Sequence, residues 1–175
     1  MKQTVKITFC AIMAALGTAF MLLSYFPYFT YAVPAISGVL TLVVLIEIKG
    51  KWPLFTYVVT AVLVFLFAEP EAKFMYILLF GYYPLLKAVI ERIISRVVQY
   101  LLKFAVFNSA IFIIYGILSS IIGVDISEFG RYGIIGIACM LLLANVTFYL
   151  YDVVLVRVAN LYMQMIHPKL KKVLK

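Results

Sequence analysis

From position 7 to position 46 the chain carries no charged side chain. A helix crosses a bilayer with roughly 20 apolar residues, so this one run is long enough for two crossings. Nothing else in the sequence could cover it in water. Of the 175 residues 66% are hydrophobic and 13% charged, against about 45–50% and about 25% in soluble domains. A soluble core in so short a chain cannot bury that much apolar surface. The bilayer is the solvent for most of this chain.

The run is broken at Ser24-Tyr25-Phe26-Pro27-Tyr28, which predicts a helical hairpin with spans over 7–25 and 31–48. Charged punctuation places the others. Lys49-Gly50-Lys51 precedes a span over 52–68, and Glu69-Pro70-Glu71 precedes one over 72–92. Two more are expected over 101–122 and 132–157. The expected fold class is an all-α membrane protein, a single domain of six transmembrane helices with both termini cytoplasmic. With the N-terminus inside, thirteen of the fifteen Lys and Arg collect on the inner side, leaving only Lys73 and Arg131 outside. That asymmetry follows the bias that orients membrane proteins. Lys2 and Lys6 before an apolar stretch resemble a signal peptide, but no Ala-x-Ala-like cleavage site follows, so the segment is kept as a span.

Between the fourth and fifth spans, residues 88–103 read as an amphipathic helix lying on the cytoplasmic surface. Val89, Ile93, Val97 and Leu101 alternate with Arg92, Arg96, Gln99 and Lys103 at helical spacing. One reading is a linker whose basic face touches anionic lipid; the other is a docking surface for a partner.

Ionisable groups inside spans are costly and are functional hypotheses by default. Lys87 and Asp152 are the deepest charges of the fourth and sixth spans. Tyr83, Lys87 and Glu91 share a helix face, as do Asn145, Tyr149 and Asp152, and Asn108 lies at similar depth on the fifth span. Together they describe an inner polar seam. It is either a set of interhelical bonds that fixes packing or a path for substrate or protons. Gly81 and Pro84 weaken the fourth span at its middle, where Pro84 frees the carbonyl near Phe80. The outer half is aromatic instead, with Tyr25, Phe26, Tyr28, Phe29 and Tyr31 crowded in one loop and Tyr76, Tyr115 and Tyr132 at a similar level. An interfacial belt and a ligand lid both use such residues.

No enzyme is expected. The nucleophile elbow, the His-Glu-x-x-His zinc motif and the phosphate-binding Gly-rich loop are all missing. One histidine, His167, and two separated cysteines, Cys10 and Cys139, do not make a metal site. No cofactor is implied. The formal net charge of +8 reports topology rather than a nucleic-acid partner.

The first span reads Thr8-Phe9-Cys10-Ala11-Ile12-Met13-Ala14-Ala15-Leu16-Gly17-Thr18-Ala19-Phe20, and Pro34-Ala35-Ile36-Ser37-Gly38 opens the second. Ala11, Ala15, Thr18 and Ala19 make a small-residue face of the kind that lets membrane helices approach closely. With about 175 residues, six spans and an aromatic first outer loop, the chain resembles the substrate-binding S components of energy-coupling factor vitamin transporters. The resemblance implies a multi-pass protein of a bacterial plasma membrane. It implies a subunit that binds one small molecule from outside and docks on a transmembrane T component coupled to two cytoplasmic ATPases. Ala11 and Ala15 would be the coupling contacts, with Thr18 and Ala19 completing the face. The loop from Phe26 to Tyr31 would be the gate, and Tyr28, Tyr31, Tyr76, Tyr115 and Ser119 would hold the ligand. The outer halves carry few polar groups, so an apolar or aromatic ligand fits best. Two other functions remain open: a stand-alone carrier or lipid-handling protein that uses the seam, and a non-catalytic scaffold subunit that uses residues 88–103.

Overall fold

The computed structural model describes residues 2–26, 28–48, 50–122 and 133–169. Every regular element among them is helical. Helix α1 runs Gln3–Leu22 and closes in a 3₁₀ turn, Leu23–Tyr25. Helices α2 (Ala32–Glu47) and α3 (Trp52–Phe67) follow. The next stretch is built in pieces: α4 (Pro70–Met75), a π-helical turn (Tyr76–Phe80) and α5 (Tyr83–Ile90). Two long helices complete the bundle, α6 (Arg96–Ile122) and α7 (Gly133–Met165).

Among the described residues four segments are long and apolar enough to cross a membrane: Gln3–Tyr25, Pro70–Ile90, Arg96–Ile117 and Ala138–Lys169. Helices α2 and α3 are apolar but have 16 residues each, about 24 Å of rise. The described residues are therefore all-α, and their apolar helices are compatible with a multi-pass membrane protein. Each predicted run carries helix, with one departure in plan. Residues 88–103 are not one surface helix. The chain turns over 91–95, and Arg96 begins α6, which continues to Ile122 without a break. Asp125, Glu128, Arg131 and Tyr132, and the C-terminal Lys171, Lys172 and Lys175, lie outside the described residues.

Helix α2 is the centre of the bundle. It packs on α1, α3, the π turn, α5 and α7. A helix covered on so many sides needs small residues to admit its neighbours, and α2 supplies Ser37, Gly38 and Thr41, all buried. At Gly17 of α1 an added Cβ would come within 3.1 Å of Ser37 Oγ and 3.2 Å of a Thr60 methyl. That is why α1, α2 and α3 can meet at one level. Prolines start three helices, Pro53 in α3, Pro70 in α4 and Pro84 in α5, where a missing N–H costs nothing.

The π turn has a local cause. Pro84 cannot donate to the Phe80 carbonyl, and the turn before it widens so that the Gly81 N–H reaches back to the Tyr76 carbonyl at 2.8 Å. This leaves the Ile77 carbonyl without its usual donor, and the Tyr57 hydroxyl supplies one at 2.8 Å. The Phe80 carbonyl abuts Gly38, where a Cβ would sit 2.5 Å from its oxygen.

Candidate functional site: a buried four-charge cluster

The end of the π-turn segment brings α5, α6 and α7 together around Asp152. Tyr83 donates its hydroxyl hydrogen to Asp152 Oδ1 at 2.6 Å. The Lys87 ammonium pairs with the same oxygen and donates to the Asp152 backbone carbonyl at 3.3 Å. The Lys103 ammonium lies 3.0 Å from Oδ2 and 3.2 Å from Oδ1. Glu91 bridges both lysines, 2.9 Å from Lys87 and 2.8 Å from Lys103. Two ammonium and two carboxylate groups balance. The Lys87, Lys103 and Asp152 side chains are only 7%, 4% and 8% exposed. Glu91, at 41%, is the member that meets the outside.

Such a cluster satisfies the condition for burying charge, namely full pairing together with hydrogen bonds. Glu91 lies one residue past the end of the Pro70–Ile90 crossing segment. Burial acts to raise its carboxyl, but hydrogen bonds from Lys103 and Lys87 outweigh this and hold it below the usual carboxylate range.

Lys103 lies outside the expected seam, which includes Glu91 on the Lys87 face. Lys103 was assigned to the surface with Arg92, Arg96 and Gln99. It instead heads the buried stripe of α6, Lys103, Phe107, Ala110 and Ile114, whose i, i+4, i+7, i+11 spacing was readable in the sequence. Glu91 stands four residues after Lys87, the spacing of a helical ion pair.

Asn108 and Asn145 form a separate reciprocal amide pair between α6 and α7, at 3.0 and 3.1 Å. Between the amides and the charges lie Phe104, Phe107 and Phe148, with Phe107 and Phe148 stacked at 4.2 Å. The seam is thus two polar clasps separated by aromatic rings. Tyr149 belongs to neither. It lies about 100° round the helix from Phe148, is exposed, and stands beside Tyr100 with centroids 6.4 Å apart.

The expected ligand residues divide in the same way. Tyr76 is fully buried, with Thr41, Thr60 and Ser37 as its hydrogen-bonding neighbours; it is a core residue, clustered with Met21, Val33 and Val64. Tyr28 is 94% exposed. The Tyr31 hydroxyl donates to Glu71 at 3.3 Å, and Tyr115 is close enough to act on it electrostatically. Ser119 lies in the last turns of α6, where side chains fall outside the described residues. The loop itself is strapped to the α3–α4 junction. Tyr25 donates to the Phe67 carbonyl at 3.0 Å, Thr30 donates to Glu69 at 3.1 Å, and the Glu69 N–H donates to Ser24 Oγ at 3.4 Å.

On α1, Phe9, Cys10, Ala14, Gly17 and Met21 are buried, while Ala11, Ala15 and Ala19 face outward. Thr18 is half-buried and its hydroxyl donates to the Ala14 carbonyl at 2.9 Å. Two apolar grooves of about 350 and 300 Å³ flank the π turn, one against α3 and one against α6. Among the described residues no group of three or more His, Cys, Asp or Glu could hold a metal. No family model, no curated protein and no solved structure matches the chain.

Proposed function

We propose that the chain is a membrane-embedded, non-catalytic binding subunit of a transporter, acting in the manner of the energy-coupling factor S components. On this reading it captures a small apolar or aromatic molecule at the end of the bundle bearing the Tyr25–Tyr31 loop. It then docks through α1 on a transmembrane partner served by cytoplasmic ATPases. All six apolar helices cross the membrane, with both chain ends and the four-charge cluster on the cytoplasmic side. The positive-inside asymmetry of the sequence supports that orientation.

The observation that carries the reading is the division of α1 into two faces. Its Cys10, Ala14, Gly17 and Met21 face is consumed by α2 and α3, while Ala11, Ala15 and Ala19 are left outward and exposed among the described residues. Small outward residues give a second helix close approach, and packing of that kind drives helix association in lipid. The strapped aromatic loop supports a binding end. The charge cluster supports a structural role for the seam, since every charged group in it is already paired.

Native mass spectrometry of the protein purified gently from its own membrane tests the proposal. A bound small molecule, or an associated transmembrane subunit with ATPases, is the expected result. A chain that carries only lipid in every preparation overturns it. A stand-alone carrier that works through the seam would instead lose transport on Asp152→Asn and keep it on Ala11→Leu.

A further inference from the structure

The turn between α5 and α6 has a charge arrangement that the binding role does not use. Between positions 88 and 103 the sequence has one acid, Glu91, and three cations, Arg92, Arg96 and Lys103. Glu91 is the natural partner for the arginines, but the two buried lysines take it. Its carboxylate points inward to Lys87 and Lys103 at 2.9 and 2.8 Å. Arg92 and Arg96 are exposed, and neither has a side-chain partner among the described residues.

The turn also has a fixed place and shape. One crossing segment ends at Ile90 and the next begins at Arg96, so the arginines sit at the boundary of the bilayer. Gln99 donates to the Ile93 carbonyl at 2.6 Å and holds the turn closed. Ile94 at its tip is fully exposed, and Val97 and Leu101 continue an exposed apolar line along α6. Two unpaired guanidinium groups above an uncovered apolar strip match a negative phosphate above an acyl chain. Arginine is the cation suited to that headgroup, because its planar fork bonds phosphate oxygens in pairs.

We infer that the Arg92–Arg96 turn is a binding site for one anionic phospholipid, its phosphate held by the two guanidinium groups and a chain lying along Ile94, Val97 and Leu101. The ion cluster beneath is what makes the site available, because it withdraws Glu91, the one acid between positions 88 and 103. The inference does not depend on the transport reading and stands if the chain proves to have another role.

The test uses the full chain in nanodiscs made from equal phosphatidylglycerol and phosphatidylcholine of matched acyl chains. Lipids that remain bound after release are counted by native mass spectrometry. The wild type is expected to retain phosphatidylglycerol over phosphatidylcholine, and each arginine should contribute about fivefold to the preference. Arg92→Gln with Arg96→Gln should bring the ratio close to one. Both positions are exposed, so an unchanged melting temperature should accompany the loss. A charge-matched control, Lys2→Gln with Lys51→Gln, removes two exposed cations elsewhere and should leave the preference intact. The inference is overturned if the arginine variant keeps its preference, if the control loses it equally, or if inorganic phosphate strips the retained lipid.

Discussion

At the scale of single residues, Asp152 has the largest expected effect. Its carboxylate takes Tyr83, Lys87 and Lys103. Asp152→Asn leaves two buried ammonium groups facing one carboxylate. Removing one partner of a buried ion pair costs about 3–5 kcal/mol, so the melting temperature in detergent should fall steeply. Adding Lys103→Met restores neutrality and should recover much of the loss. If the double variant is no better than the single one, charge balance is not what holds the cluster. Glu91 gives a separate pH signature. Its folded pKa is depressed below the ordinary 4.5, so its contribution is complete above that value. The contribution is then lost as pH falls from there through the folded value. A melting profile between neutral and acid pH should slope less in Glu91→Gln than in wild type, and the two curves should converge at the acid end. Lys87 and Asp152 were legible as partners because each is the deepest charge in an apolar run. Lys103 was not, because a basic residue near other basic residues reads as surface until the buried stripe beyond it is followed to Ile114.

At the scale of elements, the sequence located the helices well and their breaks less well. Charges bound the α1–α2 pair and both ends of α3, and the Ser24–Tyr28 break divides the pair, which is why α1, α2 and α3 lie close to the predicted 7–25, 31–48 and 52–68. The turn over 91–95 left no such mark. Apolar and basic residues keep helical periodicity straight across it, and the fold-back shows in contacts across the turn, such as Gln99 on the Ile93 carbonyl and Lys103 on Glu91. Gly81 and Pro84 did announce a break, and the π turn gives it a definite form. A Cβ on Gly81 would stand 2.8 Å from Tyr57 Cε2 and from the Tyr76 carbonyl oxygen. Overpacking of this order costs about 1–3 kcal/mol. Gly81→Ala should therefore lower the melting temperature clearly. Gly116→Ala on α6, where a Cβ would meet nothing within 4 Å among the described residues, should be neutral or slightly stabilising. Equal losses at the two sites would mean that the π turn relaxes to accept a side chain and is no fixed part of the fold.

At the scale of the whole molecule, the bundle has satisfied one side of α1 and left the other open. Ala14 is 2% exposed and faces the interior, whereas its neighbour Ala15 faces outward with Ala11 and Ala19. Composition alone could not separate these faces, since alanine is equally at home in a core, at a helix–helix contact and in lipid. The packing of α2 and α3 decides it. Substitutions on the two faces should therefore differ in kind. Ala14→Leu adds volume where Ser37 and Thr60 already crowd Gly17 one turn on, and should destabilise the isolated protein by about 1–3 kcal/mol. Ala11→Leu with Ala15→Leu should leave its melting temperature unchanged, because both new side chains meet only lipid. On the proposed reading the order reverses in the native membrane: the double leucine variant should lose any subunits that co-purify with the wild type, since two bulky side chains would hold a partner helix away from the α1 backbone. A double variant as stable as wild type that still recovers the same subunits would remove α1 as the coupling face.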